Sequence, residues 1–187
     1  MSFLIIVRES YSYNFVKKLG VDNKKIILLP TPIIFRIKRR KRKYVGIFID
    51  KNLEYFLKKQ KKNSMDFYSK IIKYFLKKHE KIILLPQVIG INRVPLPLKD
   101  VSDYSIIKKL AAEFDPSQVI VPPIKDIKDL LENISKCKFC IVSRFHSLLF
   151  VLKARIPFIC ISYTKKTEYL LKDIKLKRFC ISLSKYE

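Results

Sequence analysis

The sequence predicts an α/β domain built on a mostly parallel β-sheet with helices on both faces. Three observations carry this reading. Short strand-like runs recur at residues 44–49, 81–85, 118–121 and 139–142. The segments between them place apolar residues at helical spacing. The runs are also nearly continuous in apolar residues, as strands buried on both faces are, and do not alternate.

In order, residues 3–7 read as a short strand, and Phe15, Val16 and Leu19 mark a helix with Gly20 at its C-cap. Residues 26–29 form a second strand, stopped by Pro30, Thr31 and Pro32. The run RIKRRKRK at residues 36–43 reads as a solvated basic linker, and a new α/β pattern starts directly after it. Its first strand is 44–49. A polar, lysine-rich stretch follows, anchored by Phe56 and Leu57, and then a helix carrying Phe67, Ile71, Tyr74 and Phe75. The strand 81–85 ends at Pro86 and Gln87. Residues 88–100 form a loop long enough to be functional. Tyr104, Ile107, Leu110, Ala111 and Phe114 mark the next helix, closed by Asp115 and Pro116. Residues 118–121 are a strand, and Ile127, Leu130, Leu131 and Ile134 a helical stripe. The strand 139–142 runs into Ser143, Arg144, Phe145 and His146, then a mostly apolar helix over 147–153. Pro157 opens another apolar run, with a helix over 167–173 and a last strand over 179–183.

Composition narrows the function classes. At 187 residues the chain has the size of one ordinary domain with a fragment of another, enough to bury a sizeable core. A hydrophobic content of 49% argues against a disordered chain. The longest apolar runs are too short to span a bilayer. The start lacks the features of a signal peptide, so the cytoplasm is the expected location. Three glycines leave no glycine-rich dinucleotide or P-loop fingerprint. The net charge of +24 has three readings: phosphate contacts to nucleic acid, attraction to anionic lipid and hence peripheral membrane association, or lysines that merely solvate helix faces. The lysines spread along the whole chain, which favours the last. No specific nucleic acid is expected, because Tyr and Phe fall in core-like patterns. The field would still draw in an anionic substrate. Cys137 and Cys140 are the only close cysteine pair, so no zinc site is expected. Cys140, Cys160 and Cys180 sit in strand-like runs and read as buried free thiols.

Residues 139–166 organise the rest. A strand feeding a helix puts Ser143 to His146 at the carboxyl end of a sheet, where open α/β folds bind ligands. An arginine and a histidine two residues apart there suggest an anion to hold and a proton to move. The plainer readings are an arginine paired with an aspartate, a hydrogen-bonded structural histidine, and a Tyr163 packed on the core with its hydroxyl at the rim.

This stretch resembles a known family. Ser143-Arg144-Phe145-His146-Ser147, then Pro157, then Tyr163 and Lys166, looks like the C-terminal signature of the polysaccharide pyruvyl transferases. Val7-Arg8-Glu9 with Ser12, Leu19-Gly20-Val21, Pro30 and Pro32 with Phe35, Leu84-Leu85-Pro86-Gln87, Asp103, and the acidic helix start at Asp126 and Asp129 fit in order. The resemblance covers nearly the whole chain. It departs at Thr31, where the family usually has Asp, at Thr164, where an acid is common, and at Arg155, where Gly is frequent.

The resemblance implies a two-domain fold like that of GT-B glycosyltransferases. Residues 44–187 would be the C-terminal Rossmann-like domain, 36–43 the linker, and 1–35 the remnant of an N-terminal domain. It implies transfer of a pyruvyl group from phosphoenolpyruvate to a glycan sugar as a ketal, by a truncated or split subunit whose N-terminal domain a separate chain would supply. A nucleotide-sugar glycosyltransferase and a non-catalytic partner subunit are the alternatives. On the family reading Arg144 grips the phosphate or carboxylate of the donor and Arg8 is a second clamp. The helix start that includes Ser147 adds anion-binding donors, and His146 performs acid–base work. Tyr163 and Lys166 complete the anion pocket or orient the acceptor. The scheme calls for no metal, and for no cofactor besides phosphoenolpyruvate as donor.

Overall fold

The computed structural model describes residues 3–29, 37, 40–59, 61, 63–88 and 103–183. The break at Pro30, Thr31 and Pro32, together with Phe35, Arg36, Lys38 and Arg39, lies outside them, as does the expected loop beyond Val88. In chain order the elements are β1 (Ile5–Val7), α1 (Ser10–Lys18), β2 (Ile26–Leu28), β3 (Tyr44–Ile49), α2 (Lys51–Lys59), α3 (Ser64–Leu76), β4 (Lys81–Pro86), α4 (Tyr104–Ala111), β5 (Val119–Ile120), α5 (Ile127–Ser135), β6 (Cys137–Val142), α6 (Phe145–Lys153), β7 (Phe158–Ser162), α7 (Lys165–Asp173) and β8 (Cys180–Ser182). They fall into two compact units, Arg36–Cys160 and Met1–Phe35 with Ile161–Glu187.

The six-stranded sheet has the order β5-β4-β3-β6-β7-β8. The pairs β3–β4, β3–β6, β4–β5 and β6–β7 are parallel. The chain enters at β3, winds outward through β4 to β5, returns to β6 on the other side of β3, and winds outward again. Counted from β3, this is the strand order of the Rossmann fold. Right-handed crossovers then put α2, α3 and α4 on one face and α5 and α6 on the other. The packing of α3 on α2 and α4, and of α5 on α6, agrees. The strands are apolar throughout because both faces are covered: Val45, Ile47, Phe48, Ile49 and the four residues from Ile82 to Leu85 are all buried. The expected α/β, mostly parallel architecture is what the chain adopts.

The helices start on side-chain caps that the sequence encodes. Asn63 accepts from the Met65 amide at 2.8 Å, and Asp126 from the amides of Lys128 and Asp129 at 2.8 and 2.9 Å. Two stripes differ from expectation. The buried face of α3 carries Ser64, Tyr68, Ser69 and Ile72, while Tyr74 is exposed. The Tyr68 hydroxyl explains the shift, because it is spent on the Asp50 amide at 3.0 Å. The segment anchored by Phe56 and Leu57 is helix α2, and it packs through Leu53 and Leu57, four residues apart.

Close approach at the sheet centre requires a glycine. A Cβ on Gly46 would lie 2.8 Å from Cys137 Sγ and 3.1 Å from Cys140 Sγ. Cys137, Cys140 and Cys160 are buried and Cys180 is half-buried, all four as free thiols. Arg155, in the α6–β7 turn, holds the left-handed conformation with φ 53°. That conformation accounts for the frequent glycine at this place in the family the sequence resembles.

In the other unit, β1 and β2 pair in parallel, with Ile5 opposite Ile26 and Val7 opposite Leu28. Asp173 of α7 caps α1 from outside, accepting from the Ser10 amide at 2.9 Å and its hydroxyl at 2.7 Å. Gly20, with φ 85°, closes α1 by donating to the Lys17 carbonyl at 3.0 Å. Leu4, Ile6, Phe15, Leu19 and the run from Ile27 to Leu29 are exposed. Among the described residues no helix is long and apolar enough to cross a membrane.

Candidate active site

The winding direction reverses between β3 and β6, so the connections leaving these neighbouring strands part to opposite faces. Their carboxyl ends bound the crevice where this architecture binds ligands. A polar network occupies that place. Asp50 follows β3, Gln87 follows β4, Asp103 opens α4, and Ser143 and Arg144 follow β6.

Asp50 and Asp103 are both fully buried. An isolated buried carboxylate is costly, so each must be paired or hydrogen-bonded. Arg144 does this for Asp50: its Nε lies 2.8 Å and its Nη2 2.7 Å from Asp50 Oδ1. Nη2 is also 3.7 Å from Asp103 Oδ1. Asp50 Oδ1 accepts further from the Asn52 amide at 3.0 Å, and Oδ2 from the Ser143 hydroxyl at 2.9 Å. Asp103 does not cap its own helix. It accepts instead from the amides of Lys51 (3.0 Å), Gln87 (2.8 Å) and Val88 (2.6 Å). One side chain thereby joins the ends of β3 and β4. Burial lifts the Asp103 carboxyl above the ordinary carboxylate range, against the pull of those three amides and of Arg144.

Gln87 and Ser147 extend the network. Gln87 Nε2 donates to Ser143 Oγ at 2.9 Å. The Ser147 hydroxyl lies within hydrogen-bond distance of Gln87 Oε1 (2.6 Å) and of the Arg144 carbonyl (2.9 Å). Ser147 is buried, so its place is in the support of this constellation. His146 is exposed, in the first turn of α6, with Arg144 as the N-cap residue. The structure thus gathers Arg144, His146 and Ser147 around the start of α6.

Arg8, Tyr163 and Lys166 belong to the other unit. Arg8 follows β1, Tyr163 lies between β7 and α7, and Lys166 is in the first turn of α7. Burial first, and the charge of Arg8 second, pull the Lys166 ammonium below the ordinary lysine range, while Glu9 opposes them. Arg8 and Lys166 therefore lie within electrostatic reach of each other. Glu9 is buried and accepts from the Ser12 hydroxyl. Among the described residues no group of three or more His, Cys, Asp and Glu could hold a metal ion.

Sequence reading missed Asp50. It is the first residue after an apolar strand, the same signal that singled out Ser143 and Arg144 after β6. Gln87 and Asp103 stand in the sequence only as positions that fit the family, and in the structure their hydrogen bonds tie the ends of β3, β4 and β6 together.

Fold and site together define a Rossmann-like α/β protein with a charged, hydrogen-bonded crevice at its topological switch point. A family model of the polysaccharide pyruvyl transferases matches residues 2–165 of this chain, which belongs to that family. A search of curated proteins finds no match.

Proposed function

We propose that the chain takes part in the transfer of a pyruvyl group from phosphoenolpyruvate to two hydroxyls of a glycan sugar. In this reaction the C–O bond to phosphate breaks and inorganic phosphate leaves. Two C–O bonds form at the same carbon, and the methylene carbon gains a proton to become a methyl group. The two sugar hydroxyls lose their protons. The groups needed are a cation that recognises phosphate or carboxylate and an acid–base side chain at the solvent edge. Arg144 and His146 provide both, two residues apart at the head of α6.

The observation that carries this reading is the placement of Arg144 and exposed His146 together at the head of α6, at the carboxyl end of β6, where the Asp50 pair fixes the arginine. A guanidinium has five N–H donors in a fixed fork. Held by Asp50 through Nε and Nη2, the guanidinium has a fixed position and orientation at the carboxyl end of β6. Arg8 and Lys166 add positive charge, and Tyr163 a hydroxyl, within their own unit. The chemistry draws on side chains alone, with phosphoenolpyruvate as co-substrate.

Calorimetric titration with phosphoenolpyruvate, with orthophosphate as control, tests this. Saturable binding tighter than that of orthophosphate is expected. Arg144→Lys keeps a cation beside Asp50 but loses the fork, and should weaken binding by about tenfold or more. His146→Gln, at an exposed position, should leave that affinity within about twofold while cutting phosphate release with a glycan acceptor by about 100-fold. Binding equal to that of any anion, or indifferent to Arg144→Lys, would sink this reading.

A further inference from the structure

A second cationic concavity lies on the face of the sheet that carries α2, α3 and α4. A cavity of about 690 Å³ opens there. Lys51, Glu54 and Lys58 line it from one flank of α2, Lys61 from the α2–α3 connection, and Ser105 and Lys109 from one flank of α4. The spacing explains the lining, since residues three, four and seven apart share a helix face. Lys51 links the cavity to the crevice: its amide donates to Asp103 at 3.0 Å, and the residue belongs to the cavity lining.

Four lysines and one glutamate are among the lining residues, and Glu54 pairs with Lys58 at 2.7 Å. Lysines spread over a solvated surface call for no ligand. Gathered around one concavity they repel one another and focus a positive potential into it. The volume falls within the range of small-molecule sites, about 300–1,000 Å³. A single phosphate would engage only part of such a lining. Two linked phosphates carry more negative charge and span more of a lining drawn from both α2 and α4.

We propose that this cavity is an anion site distinct from the Arg144 crevice and that it binds a diphosphate ester. A free nucleoside diphosphate and a lipid-borne diphosphate share this chemistry. The inference stands apart from pyruvyl transfer, because binding is read directly and without turnover.

The full chain would be titrated calorimetrically with inorganic diphosphate, orthophosphate and uridine diphosphate at physiological ionic strength. Diphosphate should bind saturably and about tenfold or more tightly than orthophosphate. The double variant Lys61→Gln with Lys109→Gln should weaken it by about tenfold or more. Lys70→Gln with Lys128→Gln, exposed residues outside the lining that remove the same charge, should leave it unchanged. Uridine diphosphate binding in solution assigns a free nucleotide, and retention on neutral phospholipid vesicles doped with a polyprenyl diphosphate assigns a lipid-borne one. Either supports the site if lost in the cavity variant. Equal losses in both double variants, or no preference for diphosphate, overturn it and leave only the diffuse field of a +24 chain. Displacement of diphosphate by phosphoenolpyruvate with the same lysine dependence also overturns it, since the cavity would then be the phosphoenolpyruvate site.

Discussion

Asp103 shows how one side chain reports on the whole crevice. Its carboxyl is raised by burial even though three amides and Arg144 favour the charged form. A carboxyl that keeps its proton to higher pH when folded binds more protons in the native state than in the unfolded one over that interval. Stability from this group therefore falls as pH rises, from the unfolded carboxylate value near ~4 up to the raised native one. Denaturant unfolding across this range should show the falling component in the parent protein, and Asp103→Asn should lack it. Groups common to both proteins cancel in the difference, so parallel curves would mean that Asp103 titrates normally. At this scale the sequence was legible in part. Arg144, His146 and Ser147 stood out because they directly follow an apolar strand. Asp50 follows β3 in the same way, yet its role depends on β6 lying beside β3, a non-local pairing that local spacing does not encode.

Between elements, packing rather than propensity sets the tolerances. Gly46 on β3 faces the sulfurs of Cys137 and Cys140 on β6, and a methyl there would meet Cys137 Sγ at 2.8 Å. Gly46→Ala should cost about 1–3 kcal/mol in denaturant unfolding. Adding Cys137→Ala removes the clashing sulfur, so the pair should be less damaging than the sum of the two changes by about 1 kcal/mol. Simple additivity would show that β3 yields elsewhere. The strands were legible because burial on both faces leaves continuous apolar runs. The face of α3 was not. The spacing of Phe67, Ile71, Tyr74 and Phe75 marks a helix, but what turns Tyr68 inward is its hydroxyl meeting the Asp50 amide, a contact with another element.

Across the whole molecule the charge of +24 is the largest uncompensated term. Ion pairs such as Lys58–Glu54 and Lys136–Glu132 are partly exposed and add little. Self-repulsion should dominate the response to salt. Raising ionic strength from 0.01 to 0.15 M shortens the screening length from about 30 Å to about 8 Å. The thermal unfolding midpoint should rise over that series. A flat or falling midpoint would mean that specific ion pairs outweigh the repulsion.

The place of Arg144 in the chain has a consequence for how the protein is made. Its partner Asp50 lies 94 residues earlier, and Asp103 also precedes it. During synthesis Asp50 leaves the ribosome well before the guanidinium that pairs with it. β3 likewise waits for β6, the neighbour that completes its pairing. Closing so long a loop costs entropy that only the finished sheet repays. The crevice is therefore completed only once β6 is in place, and a nascent chain that stops short of β6 lacks the guanidinium that pairs with Asp50.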